Sequence, residues 1–322
     1  MLRSYAMTRE WVSELGLPLT ALFLLVAGCT DGAKETIQPE AGSGGQTERD
    51  AAVDQTSPTD AAQPDGAVSF ECTRAAGLKG PKMVAVPAPN GSTYCVDTTE
   101  VTQGQYAEFL EAKGGSMDDN PDDMSGQPPG CEPNARYVSA RPDDEPPHCR
   151  WTYEAFDPMG THPDFPVGCV DWCDAYMYCA WAGKRLCGAM GGGPIAWEQQ
   201  SDANVSEWYN ACSQGGTLPY PYGDAYDEEK CARESVALAD EVGQRPECHG
   251  TEPPFDQLFD MSGNIAEWTN ACEVAEGSKY EYCQYRGKFY LPPEPAGYSC
   301  DATETGSRLT KYPGLGFRCC LD

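Results

Sequence analysis

The side chains with the greatest chemical reach in this sequence are its 17 cysteines, set beside only 3 histidines in 322 residues. Cysteine sulfur can ligate a soft metal, attack as a thiolate or cross-link, and spacing separates these uses. No Cys-x-x-Cys pair occurs, and His148, His162 and His249 are scattered without the spacing of a zinc site. A Gly-rich phosphate loop and a Gly-x-Ser-x-Gly elbow are also missing. Cross-linking is the use that remains, which points to an oxidising compartment. Cys319 and Cys320 are neighbours on an expected strand, so their side chains face opposite ways and require different partners.

The N-terminus gives the compartment independently. Arg3 and Arg9 precede an apolar run from Leu15 to Ala27, shorter than the roughly 20 residues of a spanning helix. Residues 1–28 therefore read as a signal peptide, with Met7 as an alternative start. Val26, Ala27, Gly28 and Cys29 resemble the lipobox of bacterial lipoproteins, in which cleavage leaves Cys29 carrying a diacylglycerol. Thr30, rather than Asp, follows Cys29 and by analogy leans toward the outer membrane. The expected location is the cell envelope, lipid-anchored and facing the periplasm or the cell surface. Lys+Arg 22 against Asp+Glu 50 leave a net charge of -28, which excludes nucleic acid as a partner because no counterion release rewards the encounter.

Residues 29–70 contain almost nothing large and apolar beyond the lipidated cysteine, and cannot offset the entropy of ordering. They form a tether of roughly 35 Å on average. Residues 71–322 read as one domain whose turns are fed by the chain's Gly 34 and Pro 27. Thr102 and Gln105 have the form of a capping box, followed by Tyr106, Phe109 and Leu110 at helical spacing and Gly114 as a stop. Asp171 or Asp174 opens a second helix, ended by Gly183, and Glu207 to Cys212 make a third, stopped by Gly215 and Gly216. Strands are expected at Met83 to Val86, Thr93 to Val96, Tyr282 to Phe289 and Gly316 to Cys320. Aromatic residues near 172–181 and 280–290 either line a groove or fill the core. With Cys29 lipidated, 16 cysteines permit eight bridges, and Cys131–Cys149 and Cys272–Cys283 are local candidates.

Four segments stand in order: YCVDTTEVTQGQYAEFL (94–110), PVGCVDWCDAYMYCAWAGKRLC (166–187), FDMSGNIAEWTNAC (259–272) and GFRCC (316–320). Together they resemble the formylglycine-generating enzyme family, or sulfatase-modifying factors. The resemblance implies an irregular, disulfide-rich α+β domain related to C-type lectin folds, with bridges Cys179–Cys319 and Cys212–Cys300. Glu100 and Arg185 are charged residues that such an interior tolerates only when paired or hydrogen-bonded, and both read as structural. About 15 residues near Gly188 to Ser201 are extra relative to the family and are expected as a surface loop.

The resemblance also implies a calcium site at Asp260, Gly263, Ile265 and Glu267, two carboxylates and two backbone carbonyls. Hard oxygens suit calcium, and Gly263 lets the backbone turn alternate carbonyls inward. The family's second calcium site is not carried over, because KCARES (230–235) stands in its place. Family oxidases hold copper(I) between two thiolates five positions apart. The corresponding stretch, RGKFYLPPEPAGYSC (286–300), has only Cys300, and the copper positions fall near Tyr290 and Pro295. Copper oxidation is therefore not expected, and no catalytic residue is assigned. Three functions compete: a surface lipoprotein binding an envelope protein, peptide or glycan; a formylglycine-generating oxidase for exported sulfatases; and an acidic calcium-storing or adhesive stalk.

Overall fold

The β-branched and apolar residues of MVAVP and TYCVD build a hairpin, β1 (Met83–Pro87), whose burial alternates along the strand, and β2 (Thr93–Asp97), buried from Tyr94 onward, with the turn at Gly91. The structure is a computed structural model and describes residue 72 and residues 77–117, 119–138, 162–231, 239–274, 281–288 and 295–322. The expected leader, the tether and the lipidation site at Cys29 lie outside the described residues, as do His148 and Cys149.

The capping box forms as expected: the Thr102 hydroxyl accepts from the Gln105 amide at 3.3 Å, and the Gln105 side chain accepts from the Thr102 amide at 3.0 Å. It opens α1 (Gln103–Ala112). Asp171, not Asp174, caps α2 (Trp172–Trp181), with Asp174 closing the reciprocal bond. After β3 (Arg185–Leu186), Ser206 caps α3 (Glu207–Ser213). The last third of the chain supplies β4 (Ala266–Val274), β5 (Glu281–Arg286), β6 (Glu304–Ser307), β7 (Leu315–Phe317) and β8 (Cys319–Leu321).

These strands make two four-stranded sheets, ordered β1-β2-β8-β3 and β6-β5-β4-β7. All pairings are antiparallel except β4 with β7. The chain leaves the second sheet at Phe317 and enters the first at Cys319, so Arg318 stands at the crossover between them. The expected single C-terminal strand is thus two, one in each sheet.

The aromatic residues of α1 and α2 are core rather than groove. Tyr106 stacks on Tyr178 at 5.7 Å, and Tyr178 meets the edge of Phe317 at 5.3 Å. Trp172 and Trp268 satisfy their indole N–H groups on the carbonyls of Thr269 and Val170. Tyr285, in the other aromatic stretch, packs against Trp268 and is partly buried.

Seven bridges are described: Cys72–Cys95, Cys131–Cys173, Cys179–Cys319, Cys187–Cys320, Cys212–Cys300, Cys231–Cys248 and Cys272–Cys283. Cys179–Cys319 and Cys212–Cys300 are those the family resemblance implies, and Cys272–Cys283 is the local pair across β4 and β5. Cys319 and Cys320 do take different partners. Cys131 departs from expectation: it bonds Cys173 on the first turn of α2, with Cα atoms 5.8 Å apart, and not Cys149. Packing of its loop against α2 decides that pairing, and nearness in sequence does not report it. All fifteen cysteines among the described residues are disulfide-bonded.

The 188–201 segment is a loop, as expected, but it is pinned along β4. The Ile195 amide donates to the Asn270 carbonyl at 2.9 Å, and the Trp197 indole donates to the Ala271 carbonyl at 3.1 Å.

Candidate functional site

The DMSGNIAEW segment runs into β4 through a turn that needs left-handed backbone at Asp260 (φ +58°), Gly263 (φ +95°) and Asn264 (φ +54°). Asp and Asn accept this conformation better than most side chains, and Gly does so without cost. The turn is buried and tied down on every side. The Asp260 amide donates to the Cys248 carbonyl at 3.0 Å, and the Gly263 amide to the Gly287 carbonyl at 2.5 Å. One Asp260 carboxylate oxygen accepts from the Gly243 amide at 2.6 Å.

Glu267 sits in β4, opposite Arg286 on β5 and Gly316 on β7. Its carboxylate accepts from Arg318 at 2.6 and 2.8 Å and from the Trp208 indole at 2.7 Å. Arg318 also donates to the carbonyls of Asp97 and Phe259. One guanidinium therefore joins β2, β4 and the turn before Asp260, at the point where the chain changes sheets. Both side chains of the ion pair are out of solvent, so each depends on the other.

Glu100 lies at the same place. One of its carboxylate oxygens accepts from Asn264 at 3.0 Å; the other is buried with no hydrogen-bond partner among the described residues. Burial first, then the charge of Asp260, pushes Glu100 well above the usual carboxylate range. Burial also lifts Asp260 to about 6, against the pull of the Gly243 amide and Arg318. Glu100 is thus hydrogen-bonded, as expected, through one of its oxygens.

Arg185 meets the expectation. It holds Glu207 through both nitrogens and also reaches Asp322. The Glu207 carboxylate in turn accepts from the Gly188 amide at 2.9 Å. Composition gives no hint of Glu207, though the repeated Glu-Trp spelling at 207–208 and 267–268 marks both acidic residues.

The soft-metal positions fare differently. Cys300 is bridged to Cys212, Tyr290 lies outside the described residues, and so does the side chain of Pro295. His162 is exposed against Phe165, and His249 is partly buried against Phe259. Among the described residues no three His, Cys, Asp or Glu side chains converge as a metal-holding group, so an ion at the Asp260 turn would need backbone carbonyls as well.

The sulfatase-modifying factor enzyme 1-like domain matches residues 76–322, which contain both sheets, the three helices and the Asp260 turn. This chain belongs to that family. The sulfatase-modifying factor domain is 27% identical over 191 residues to the bovine (Bos taurus) formylglycine-generating enzyme, covering 50% of this chain and 45% of that protein. It is 26% identical over 170 residues to the bovine inactive C-alpha-formylglycine-generating enzyme 2, covering 48% and 50%. The chain thus spans about half the length of the curated relatives it matches. Among solved structures, PvdO from Pseudomonas aeruginosa aligns with 76% of this chain and 92% of its own, at a TM-score of 0.45 and 18% identity.

Proposed function

We propose that this sulfatase-modifying factor domain is the exposed part of an envelope lipoprotein, anchored through Cys29, that works by binding a protein, peptide or glycan and not by copper oxidation. The observation that carries the reading is the state of the sulfur. Residues 286–299 contain no cysteine, and Cys300, which closes that stretch, is committed to Cys212. A copper(I) centre needs paired thiolates, and all fifteen described cysteines are in bridges. The family relatives include one named as inactive, so the scaffold and the chemistry are separable.

Calcium is the ion this reading includes. Asp260 and Glu267 would supply carboxylate oxygens, and Gly263 and Ile265 backbone carbonyls. The residues fit a hard cation. Three buried carboxyl groups, Glu100, Asp260 and Glu267, share Arg318 as a positive neighbour, and one Glu100 oxygen has no hydrogen-bond partner among the described residues. A bound cation would favour the ionised form of these groups and tie the turn to β4.

The deciding experiment is copper(I) loading of the purified ectodomain, followed by incubation with a Cys-x-Pro-x-Arg peptide in oxygen. We expect no stoichiometric copper uptake and no aldehyde. Formylglycine in the peptide would make the chain an oxidase of the parent class and end the binding reading.

A further inference from the structure

We propose that the Cys231–Cys248 disulfide is a positioning clamp for the calcium turn, so that calcium affinity depends on whether this bridge is oxidised. The inference rests on the calcium reading and goes beyond it. It concerns two residues that neither ligate nor lie near the turn in sequence.

Both cysteines press their backbone on the turn. The Cys248 carbonyl accepts the Asp260 amide at 3.0 Å, and the Cys248 sulfur lies 3.3 Å from the Ser262 carbonyl oxygen. From the other side, the Cys231 carbonyl oxygen sits only 2.2 Å from where a Cβ on Gly263 would be. The turn that carries Asp260 and the Gly263 carbonyl is therefore gripped between two segments, and a single covalent bond sets the distance between them. The two cysteines are buried and form a small apolar cluster with Tyr222, on which Tyr220 packs. That cluster is separate from the two larger cores, and the bridge is the covalent tie between the two segments that grip the turn.

Removing the bond leaves the ligands in place and loosens their spacing. Calcium selects for spacing among its oxygens, and groups that orient ligands from outside the coordination shell matter to affinity nearly as much as the ligands do. Reduction is a defined step: a dithiol reagent gives two electrons and two protons to the bridge, Cys231 and Cys248 become thiols, and the reagent closes to its own cyclic disulfide. Linkage makes the effect reciprocal, so calcium must protect this bridge by the factor that the bridge raises calcium affinity.

The test measures calcium binding by calorimetry on the oxidised ectodomain, on C231A/C248A, and on C72A/C95A as a control whose bridge holds β2 to the N-terminal segment. A loss of about tenfold to a hundredfold is expected for C231A/C248A, with C72A/C95A unchanged. Equal affinity in wild type and C231A/C248A would overturn the clamp while leaving the calcium reading intact. No calcium binding by the wild type would overturn that reading and the clamp with it. Should C231A/C248A fail to fold, the wild-type protein decides the matter. In a dithiol/disulfide redox buffer, calcium should raise the oxidised fraction of Cys231–Cys248 at equilibrium but not that of Cys72–Cys95, as mapped by alkylation and mass spectrometry. An equal oxidised fraction with and without calcium would refute the clamp.

Discussion

Gly263→Ala should be among the most costly single-methyl additions in this domain, and Gly91→Ala is its natural control. Both glycines have positive φ, +95° and +88°. An alanine at either site pays the left-handed penalty of about 1–2 kcal/mol. They differ in what the new methyl meets: nothing within 4 Å at Gly91, and the Cys231 carbonyl oxygen at 2.2 Å at Gly263. Ordinary contact begins near 3.4 Å, so 3.4 minus 2.2 leaves 1.2 Å of displacement to be found. The obstructing atom is backbone, held by the Cys231–Cys248 bridge, and the turn is held by the bonds to Cys248 and Gly287. Overpacking of this kind costs about 1–3 kcal/mol. Gly263→Ala should therefore lose about 2–5 kcal/mol in all, exceeding Gly91→Ala by the overpacking part. Urea unfolding of the disulfide-intact protein in chelator, read by tryptophan fluorescence, gives both values. If the two variants lost the same stability to within about 0.5 kcal/mol, the close approach of residue 231 to the turn would be wrong.

Glu267→Ala should cost about 3–5 kcal/mol in urea unfolding even with chelator present, because it leaves Arg318 buried without its carboxylate; a loss below about 1 kcal/mol would remove the pair from the core. Burial lifts the Asp97 carboxyl to about 6, against Lys184 and the Cys319 amide. A carboxyl raised above its unfolded value of 3.8 holds its proton more tightly when folded, so its contribution is full below that value and is lost as pH rises through about 6. Over that window it amounts to about 3 kcal/mol, and Asp97→Asn should flatten the calcium-free stability curve between about pH 4 and 6; an undiminished slope would show that another group sets it. Asp260→Asn keeps an oxygen for the Gly243 amide and removes a buried carboxylate, so it should lower calcium-dependent stabilisation without lowering calcium-free stability. An undiminished calcium increment in that variant, read by thermal melting with and without chelator, would show that the charge of Asp260 contributes nothing to calcium binding.

Local signals are readable in the sequence, and long-range ones are not. Thr102 with Gln105, and Asp171 with Asp174, announce their helices because the bonds that cap them lie three residues apart. The proposed ligand segment 260–267 is readable only through family resemblance. Its geometry depends on Cys231, Cys248, Gly243 and Gly287, which come from other parts of the chain. Cys131 illustrates the same limit: sequence proximity favours Cys149, whereas packing on α2 brings Cys173 to it. Arg318 can be read as part of Gly-Phe-Arg, yet its role as the tie between two sheets arises from the chain changing sheets at that residue, which no local pattern encodes.

The same connections bear on the proposal that this domain keeps the family fold without copper chemistry. On one side of the stretch where relatives place copper thiolates, Arg286 is buried under Trp208 and bonded to Gln200 and to the Cys300 carbonyl. The adjoining Gly287 carbonyl holds Gly263. On the other side, Cys300 is bridged to Cys212, and its amide donates to the Pro219 carbonyl at 2.7 Å. Both ends are thus fixed by contacts that Arg286, Gly287 and Cys300 make themselves. Those contacts do not require thiolates at positions 290 and 295. Selection for stability gives no reason to keep the thiolate pair once oxidation is no longer required, but every reason to keep Cys300 in its bridge.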